Sequence, residues 1–217
     1  KPLLYNRFVD RIFTRAFDGA VGGLAPGRAV ELGTGRGRWL RRLRARGWRT
    51  VGVDVAPAAR PSVVASATRV PLAAACADLV LAVTVLQHIE DKAACLDEMA
   101  RLARPGGRVL LVELLDRPNV AWQSHVMPRG AAWWRTELAR RGFEIEREDP
   151  VEYLPFVQLI ESRRRAAFSP SVTVQRPGTA KKLLWVPITL FSIICEPFAP
   201  LLGVAATHRS FLCRKAK

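Results

Sequence analysis

Glu31, Gly33, Gly35 and Gly37 occupy alternate positions of the run Glu31-Leu32-Gly33-Thr34-Gly35-Arg36-Gly37, between a short apolar stretch, residues 28–32, and a helix-forming segment. Glycines in such a loop take positive φ and let a ligand approach the backbone with no Cβ in the way. The helix that follows turns unpaired N–H groups toward the same place. The spacing limits the ligand. A nicotinamide dinucleotide fingerprint, G-x-G-x-x-G, needs glycine at position 38, where Arg38 stands. A carboxylate two residues before the first glycine opposes a diphosphate, whereas it can organise a site for a sulfonium and an amino group. Asp54 ends the next alternation, Val51, Val53 and Val55, and a carboxylate there can accept hydrogen bonds from both hydroxyls of a ribose. Asp54 fits either adenosine ligand; Glu31 and the broken glycine spacing favour S-adenosylmethionine.

Methyl transfer from a sulfonium is an in-line displacement that gains from holding donor and nucleophile at near-attack distance. A hydroxyl or amine nucleophile also gains from a base. The chain has three histidines. His88 and His125 follow apolar strand patterns, where a site is expected, and are the candidates for proton transfer; a loop-structuring role is the alternative for each. His208 lies in the last strand pattern and is given no chemistry. Tyr5, Trp122 and Arg129 are candidates for the acceptor pocket, where aromatic faces can hold a ring or shield a sulfonium. No metal is expected: Cys76, Cys95, Cys195 and Cys213 form no CxxC pair, and Asp116 with Asn119 is too little for a hard cation.

These residues must be positioned by an alternation of strands and helices. Phe8, Ile12, Phe13 and Phe17 repeat at helical spacing before Gly22-Gly23. Strands are predicted over 28–32, 49–55, 78–85, 108–115 and 143–153, with a short strand or loop at 62–67, helices over 38–46 and 92–102, and a closing antiparallel strand over 207–214. The predicted fold is α/β, a doubly wound Rossmann-like domain around a mainly parallel seven-stranded sheet with an antiparallel last strand. At 217 residues a single domain, 1–217, is expected, with an N-terminal helical lid over about 1–24 and an apolar substrate cover over about 155–206.

The chain resembles the class I S-adenosylmethionine-dependent methyltransferases, particularly small-molecule members of the menaquinone/ubiquinone methyltransferase type. The likeness spans residues 29–145. Residues 29–37 resemble the family's first motif, and Val51 to Val55, with Asp54, its ribose-binding strand. Ser66-Ala67-Thr68-Arg69-Val70-Pro71-Leu72 resembles the segment that touches adenine, although the family often has an acid where Ser66 stands. Leu86-Gln87-His88-Ile89-Glu90 resembles the loop after the fourth strand, and Pro105-Gly106-Gly107 the turn into the fifth. The resemblance implies S-adenosylmethionine held by Glu31, Gly33, Thr34, Gly35, Gly37, Asp54, Val55, Ser66, Ala67 and Thr84. It further implies transfer to an oxygen, nitrogen or carbon nucleophile of a small molecule with a substantial apolar part. No D/N-P-P-Y/F sequence or Pro-Cys pair follows the fourth strand, which argues against methylation of nucleic-acid bases.

The formal charge of +15 raises an RNA-directed methyltransferase or a nucleic-acid-binding module as an alternative. Only six of the 34 basic residues are Lys, however, and the Arg cluster at 36–46 interleaves with Trp39, Leu40 and Leu43, as on the solvated side of an amphipathic helix. Residues 183–206 carry the single charge Glu196 but are broken by Pro187, Pro197 and Pro200. A pocket-covering hairpin is expected there, with peripheral membrane contact and a lipid-like acceptor as the alternative. Reduced cysteines and no visible leader give a cytoplasmic expectation. Nothing in the sequence addresses oligomeric state. A subunit that binds the cofactor without catalysis is a further alternative.

Overall fold

The structure is a computed structural model that describes residues 3–117, 122, 124–153, 187, 190–201 and 203–216. Helix α1 (Leu3–Val21) precedes β1 (Arg28–Leu32), α2 (Arg38–Arg44), β2 (Arg49–Asp54), β3 (Val63–Val64), β4 (Ala77–Val83), α3 (Lys92–Leu102), β5 (Ala103–Leu114), α4 (Ala131–Arg140), β6 (Phe143–Glu152) and β7 (His208–Lys215). The seven strands form one sheet in the order β3-β2-β1-β4-β5-β7-β6. Strand β7 runs antiparallel to both of its neighbours, and the other pairings are parallel. The doubly wound fold expected from the sequence, with its antiparallel last strand, is the fold observed.

Alternation along the central strand divides the core in two. Leu79, Leu81 and Val83 of β4 face a cluster containing Phe13, Phe17, Trp39, Leu43, Leu110 and Leu212, so α1 and α2 cover that side. Val80 and Ala82 face the other, with Leu96, Met99, Leu102, Trp134, Leu138 and Phe211, under α3 and α4. Period-two alternation in the strands and 3.6-residue periodicity in the helices produce both layers. In α1 the buried positions Phe13, Phe17, Ala20 and Val21 form one such stripe.

Of the boundaries that differ from the sequence reading, two have a clear backbone cause. Strand β4 stops at Val83 because Thr84 takes a positive φ of 57°, which leaves the ladder. Strand β5 begins at Ala103, with a register irregularity opposite Ala77 and Leu79 that absorbs Pro105-Gly106-Gly107.

The expected substrate cover falls largely outside the described residues. Within its apolar stretch, residues 190–195 are helical, and Leu190, Phe191, Ile194, Phe198 and Leu201 are exposed. Among the described residues, no helix is long and apolar enough to cross a membrane.

Leu81 is fully buried in the middle strand, whereas Val64 is exposed on a sheet edge. Leu81→Ala should therefore cost about 2–5 kcal/mol of stability in urea unfolding. Val64→Ala should stay within about 0.5 kcal/mol.

Candidate functional site

The strand order reverses between β1 and β4, and in an open α/β sheet a ligand crevice forms there, beyond the carboxyl ends of the strands. Two cavities lie at that place. One, of about 300 Å³, is walled by Gly33, Asp54, Val55, Ser66, Ala67, Thr84 and His88, among others. The second, of about 480 Å³, is walled by residues of α1 and by Arg38, Trp39, Val83, Thr84, Gln87, Glu152 and His208. Thr84 belongs to both.

The glycine loop is tied to the end of β2. Gly33 and Thr34 both donate backbone N–H groups to the Val53 carbonyl, at 2.8 and 3.0 Å. Gly33 has φ of 69°, and a Cβ there would lie 2.5 Å from the Val85 methyl groups, so glycine is required both by conformation and by a cavity wall. Gly35, at φ of 48°, has open space where a Cβ would point.

Asp54 accepts one backbone N–H at each carboxylate oxygen, from Gly35 at 2.8 Å and from Ala56 at 2.9 Å. A carboxylate offers about four lone-pair directions, so one remains on each oxygen for a pair of adjacent hydroxyls. Ser66 sits on the same wall, with its hydroxyl bonded to Thr68 Oγ1 at 2.8 Å. Val55 is exposed at the rim and Ala67 is buried.

Glu31 behaves differently from the expectation. It is buried beneath the loop, accepts the Thr34 hydroxyl at 2.8 Å, and is not among the walls of either cavity. Burial, aided by the nearby Asp54 charge, pushes its carboxyl up to about 8. Asp54, in contrast, is a wall of the first cavity. Glu31 acts through Thr34, whose carbonyl accepts from Gly37 at 2.8 Å at the start of α2.

The loop after β4 rests on Glu113, which the sequence reading did not single out. This fully buried β5 residue accepts from the backbone N–H groups of Val85, Leu86 and Gln87, at 3.1, 3.0 and 3.3 Å. Burial raises its carboxyl to about 7 against the opposing pull of those three donors. A lone carboxyl inside the apolar run Leu110–Leu115 was the available signal.

The proposed proton-transfer histidines sit together at the outer rim. His88 Nδ1 lies 3.0 Å from the His125 carbonyl and its Nε2 lies 3.1 Å from Gln87 Nε2, so both ring nitrogens are engaged. The two rings stack at 5.9 Å. His88 walls the first cavity; His125 walls neither. Trp122 donates its indole N–H to Asp116 at 2.8 Å, and Arg129 lies over the Trp133 ring at 5.5 Å; neither is a wall of the two cavities. Tyr5 lies in α1, and its side chain is outside the described residues.

The charged groups and the histidine of the second cavity, Asp10, Arg38, Glu152 and His208, were missed as site residues. Arg38 pairs with Asp10 at 2.6 Å and donates to Thr14 Oγ1 at 2.6 Å, which fastens α2 to α1. Glu152 and His208, cross-strand partners at the ends of β6 and β7, lie 3.0 Å apart, Oε2 to Nδ1. Thr207 donates to Glu152 Oε2 at 2.8 Å and its hydroxyl lies 2.9 Å from His208 Nδ1. Their juxtaposition depends on a pairing across more than fifty residues, which periodicity does not reveal.

Residues 30–111 match the family described as methyltransferase domain. That match covers the glycine loop, Asp54 and the loop after β4. The demethylmenaquinone methyltransferase of Mycolicibacterium vanbaalenii is 44% identical over 72 residues, 32% of this chain and 32% of that protein. The chain thus matches about a third of the length of this curated relative. Among solved structures, the cyclase SpnF superposes with a TM-score of 0.63 at 18% identity, over 93% of this chain and 81% of that one. The geranyl diphosphate C-methyltransferase of Streptomyces coelicolor, in complex with Mg2+, geranyl diphosphate and S-adenosyl-L-homocysteine, gives a TM-score of 0.62 at 13% identity, over 94% and 77%. These two likenesses establish the fold.

Glu31 and Glu113 hold their protons in the folded state to about pH 8 and 7, against an ordinary value of 4.5. The unfolded chain releases those protons first, so their contribution is fully present below about pH 4.5 and is lost as pH rises through 7 and 8. Asp18, Asp78, Glu98 and Glu148 are lowered instead, so their opposite slope falls below the ordinary carboxylate range. Urea unfolding between pH 5 and 8 should show stability falling with pH. In Glu31→Gln that fall should be shallower; an identical slope would show that Glu31 ionises normally.

Proposed function

We propose that the chain is an S-adenosylmethionine-dependent methyltransferase that methylates a nucleophilic oxygen, nitrogen or carbon of a partly apolar small molecule. The observation that carries this reading is the meeting of the two cavities at Thr84. One side offers a carboxylate with two free lone-pair directions, and the other a half-apolar chamber. The fold alone does not choose the reaction, since a cyclase shares it. The choice rests on the methyltransferase-domain match over residues 30–111, joined to the geometry of Asp54.

The cofactor fits the residues present. Asp54 would take the ribose hydroxyls, and Ser66 with Ala67 the adenine edge. The Asp10–Arg38 pair, on the far side of Thr84, is complementary to a zwitterionic amino-acid tail. S-adenosylmethionine supplies an electrophilic methyl group on a positively charged sulfur. The residues of this chain orient it and exclude water: Thr84 walls both cavities, and Val9, Phe13, Trp39 and Val83 give the second one apolar walls.

That apolar share supports an acceptor with a hydrocarbon or ring portion. The names of two similar proteins, for demethylmenaquinone and for geranyl diphosphate, are compatible with it. The basic surface is a weaker guide to a nucleic-acid partner, because Arg38, Arg42 and Arg46 are spent on ion pairs with Asp10 and Asp18 of α1.

Isothermal calorimetry with S-adenosylhomocysteine tests the reading. Binding is expected, and Asp54→Ala should weaken it about 10- to 100-fold, the worth of charge-assisted hydrogen bonds. Arg38→Ala should weaken S-adenosylhomocysteine several-fold while leaving 5′-methylthioadenosine, which lacks the amino-acid tail, unchanged. Tight NAD binding with no binding of S-adenosylhomocysteine would overturn the assignment.

A further inference from the structure

The second cavity holds a carboxylate and a histidine in an arrangement that the cofactor site does not use. Glu152 ends β6 and His208 opens β7, and the antiparallel pairing brings both to the carboxyl edge of the sheet, beside Val83 and Thr84. Glu152 is buried and His208 is only partly accessible, with its ring packed edge-on against Phe13 at a centroid distance of 5.0 Å. The hydrogen-bond geometry favours one position for the ring hydrogen. Nδ1 faces Glu152 Oε2 at 3.0 Å and the Thr207 hydroxyl at 2.9 Å. The Thr207 hydroxyl donates its single hydrogen to Glu152, so toward His208 it can only accept. An ionised carboxylate also only accepts. Both contacts therefore call for a hydrogen on Nδ1, and neutral imidazole then has its lone pair on Nε2. Among the described residues, no polar atom partners Nε2.

We propose that His208 is the general base for the acceptor, with Glu152 and Thr207 as its positioning residues, and that the acceptor is a protic oxygen nucleophile, a phenol or alcohol, on an apolar body. This rests on the methyltransferase reading given above. In the step assigned to these residues, the acceptor oxygen bonds to the methyl carbon as the bond from that carbon to sulfur breaks, its electron pair remaining on sulfur. The O–H proton passes to His208 Nε2. The resulting imidazolium donates from Nδ1 to Glu152, whose negative charge balances it, and the proton is later lost to water. The chamber suits such an acceptor: Val9, Phe13, Trp39 and Val83 supply apolar wall, while Asn6 and Gln87 can meet a second polar group. A carbon nucleophile without an acidic hydrogen would leave the pair without a task.

The charged groups around His208 come from three elements. Glu152 on β6 is its ion-pair partner, and Asp10 on α1 and Arg38 on α2 wall the same cavity. On its β5 side the cross-strand neighbour is the uncharged Leu114.

The experiment uses the whole chain, wild type and the variants His208→Gln and Glu152→Gln, with three readouts. Calorimetry with S-adenosylhomocysteine should give the same affinity in all three, which also reports that the variants fold. Absence of binding to wild type would defeat the methyltransferase reading itself. Nitrogen-15 spectra of histidine-labelled protein should show neutral His208 carrying its hydrogen at Nδ1 and not at Nε2. The opposite tautomer overturns the assignment whatever the turnover. Turnover is measured with S-adenosylmethionine and a series of 4-alkylphenols and straight-chain alcohols of four to eight carbons. His208→Gln should lower kcat at least about 100-fold with KM little changed, the range of general base catalysis. Glu152→Gln should lower kcat at least about 10-fold, again with KM little changed. Wild-type rates in His208→Gln, or no turnover by wild type of any member of the series while S-adenosylhomocysteine binds, overturn the proposal.

Discussion

Glu113 accepts three consecutive backbone N–H groups from a position with no solvent exposure, and the loop after the central strand depends on that contact. Where a parallel strand ends, its chain must leave the ladder, and the N–H groups of the departing segment lose their partners. Water would satisfy them in an open loop. Beside two ligand cavities, the carboxyl from the neighbouring strand does so instead, without leaving the loop free to move. Glu31 has the equivalent role in β1, where it holds Thr34 at the turn into α2. Both carboxyls are displaced upward by burial, which is the cost of placing acceptors where solvent is excluded.

That bracing accounts for Thr84. A β-branched residue at φ of 57° is disfavoured, and it persists only where its surroundings over-determine it. Its N–H donates to the Val112 carbonyl at 2.7 Å, its hydroxyl to the Val83 carbonyl at 2.7 Å, and the next three residues are held by Glu113. The consequence is a sharp turn that exposes Thr84 to both cavities. On the other flank, ion pairs from α2 to Asp10 and Asp18 fasten α1 across the sheet, so the helix that walls the second cavity is anchored at two points along its length.

The features legible in the sequence are those whose cause is local. The glycine loop, the carboxylate that ends β2 and the alternation of strands and helices all follow from residues near one another in the chain. Even the antiparallel closing strand announces itself by its pattern after Ala206. Glu31 shows the limit of local reasoning: its spacing from Gly33 was read correctly as belonging to the loop, but whether a carboxyl faces ligand or core depends on what packs over it. Here Thr34 and α2 do so, and the carboxyl lies buried beneath the cavity, with burial raising it to about 8. Glu113 was passed over for a related reason, since an apolar strand with one acid reads as a strand. Asp10, Arg38, Glu152 and His208 lay beyond reach because each acquires its neighbour only through tertiary contact.

The direction of β7 decides what stands at the second cavity. Residues at the carboxyl ends of parallel strands reach the crevice, and those at the amino ends face away from it. His208 opens its strand, so in a parallel β7 it would lie at the opposite edge of the sheet. Because β7 is antiparallel, its first residue falls level with Leu114 at the end of β5 and with Glu152 at the end of β6. The reversal therefore brings a histidine and a carboxylate from separated regions of the chain into register, within hydrogen-bond distance, above a chamber that also reaches Thr84. A strand inserted between two parallel neighbours in the opposite sense thereby supplies the crevice with residues that a wholly parallel sheet would have kept on its other side.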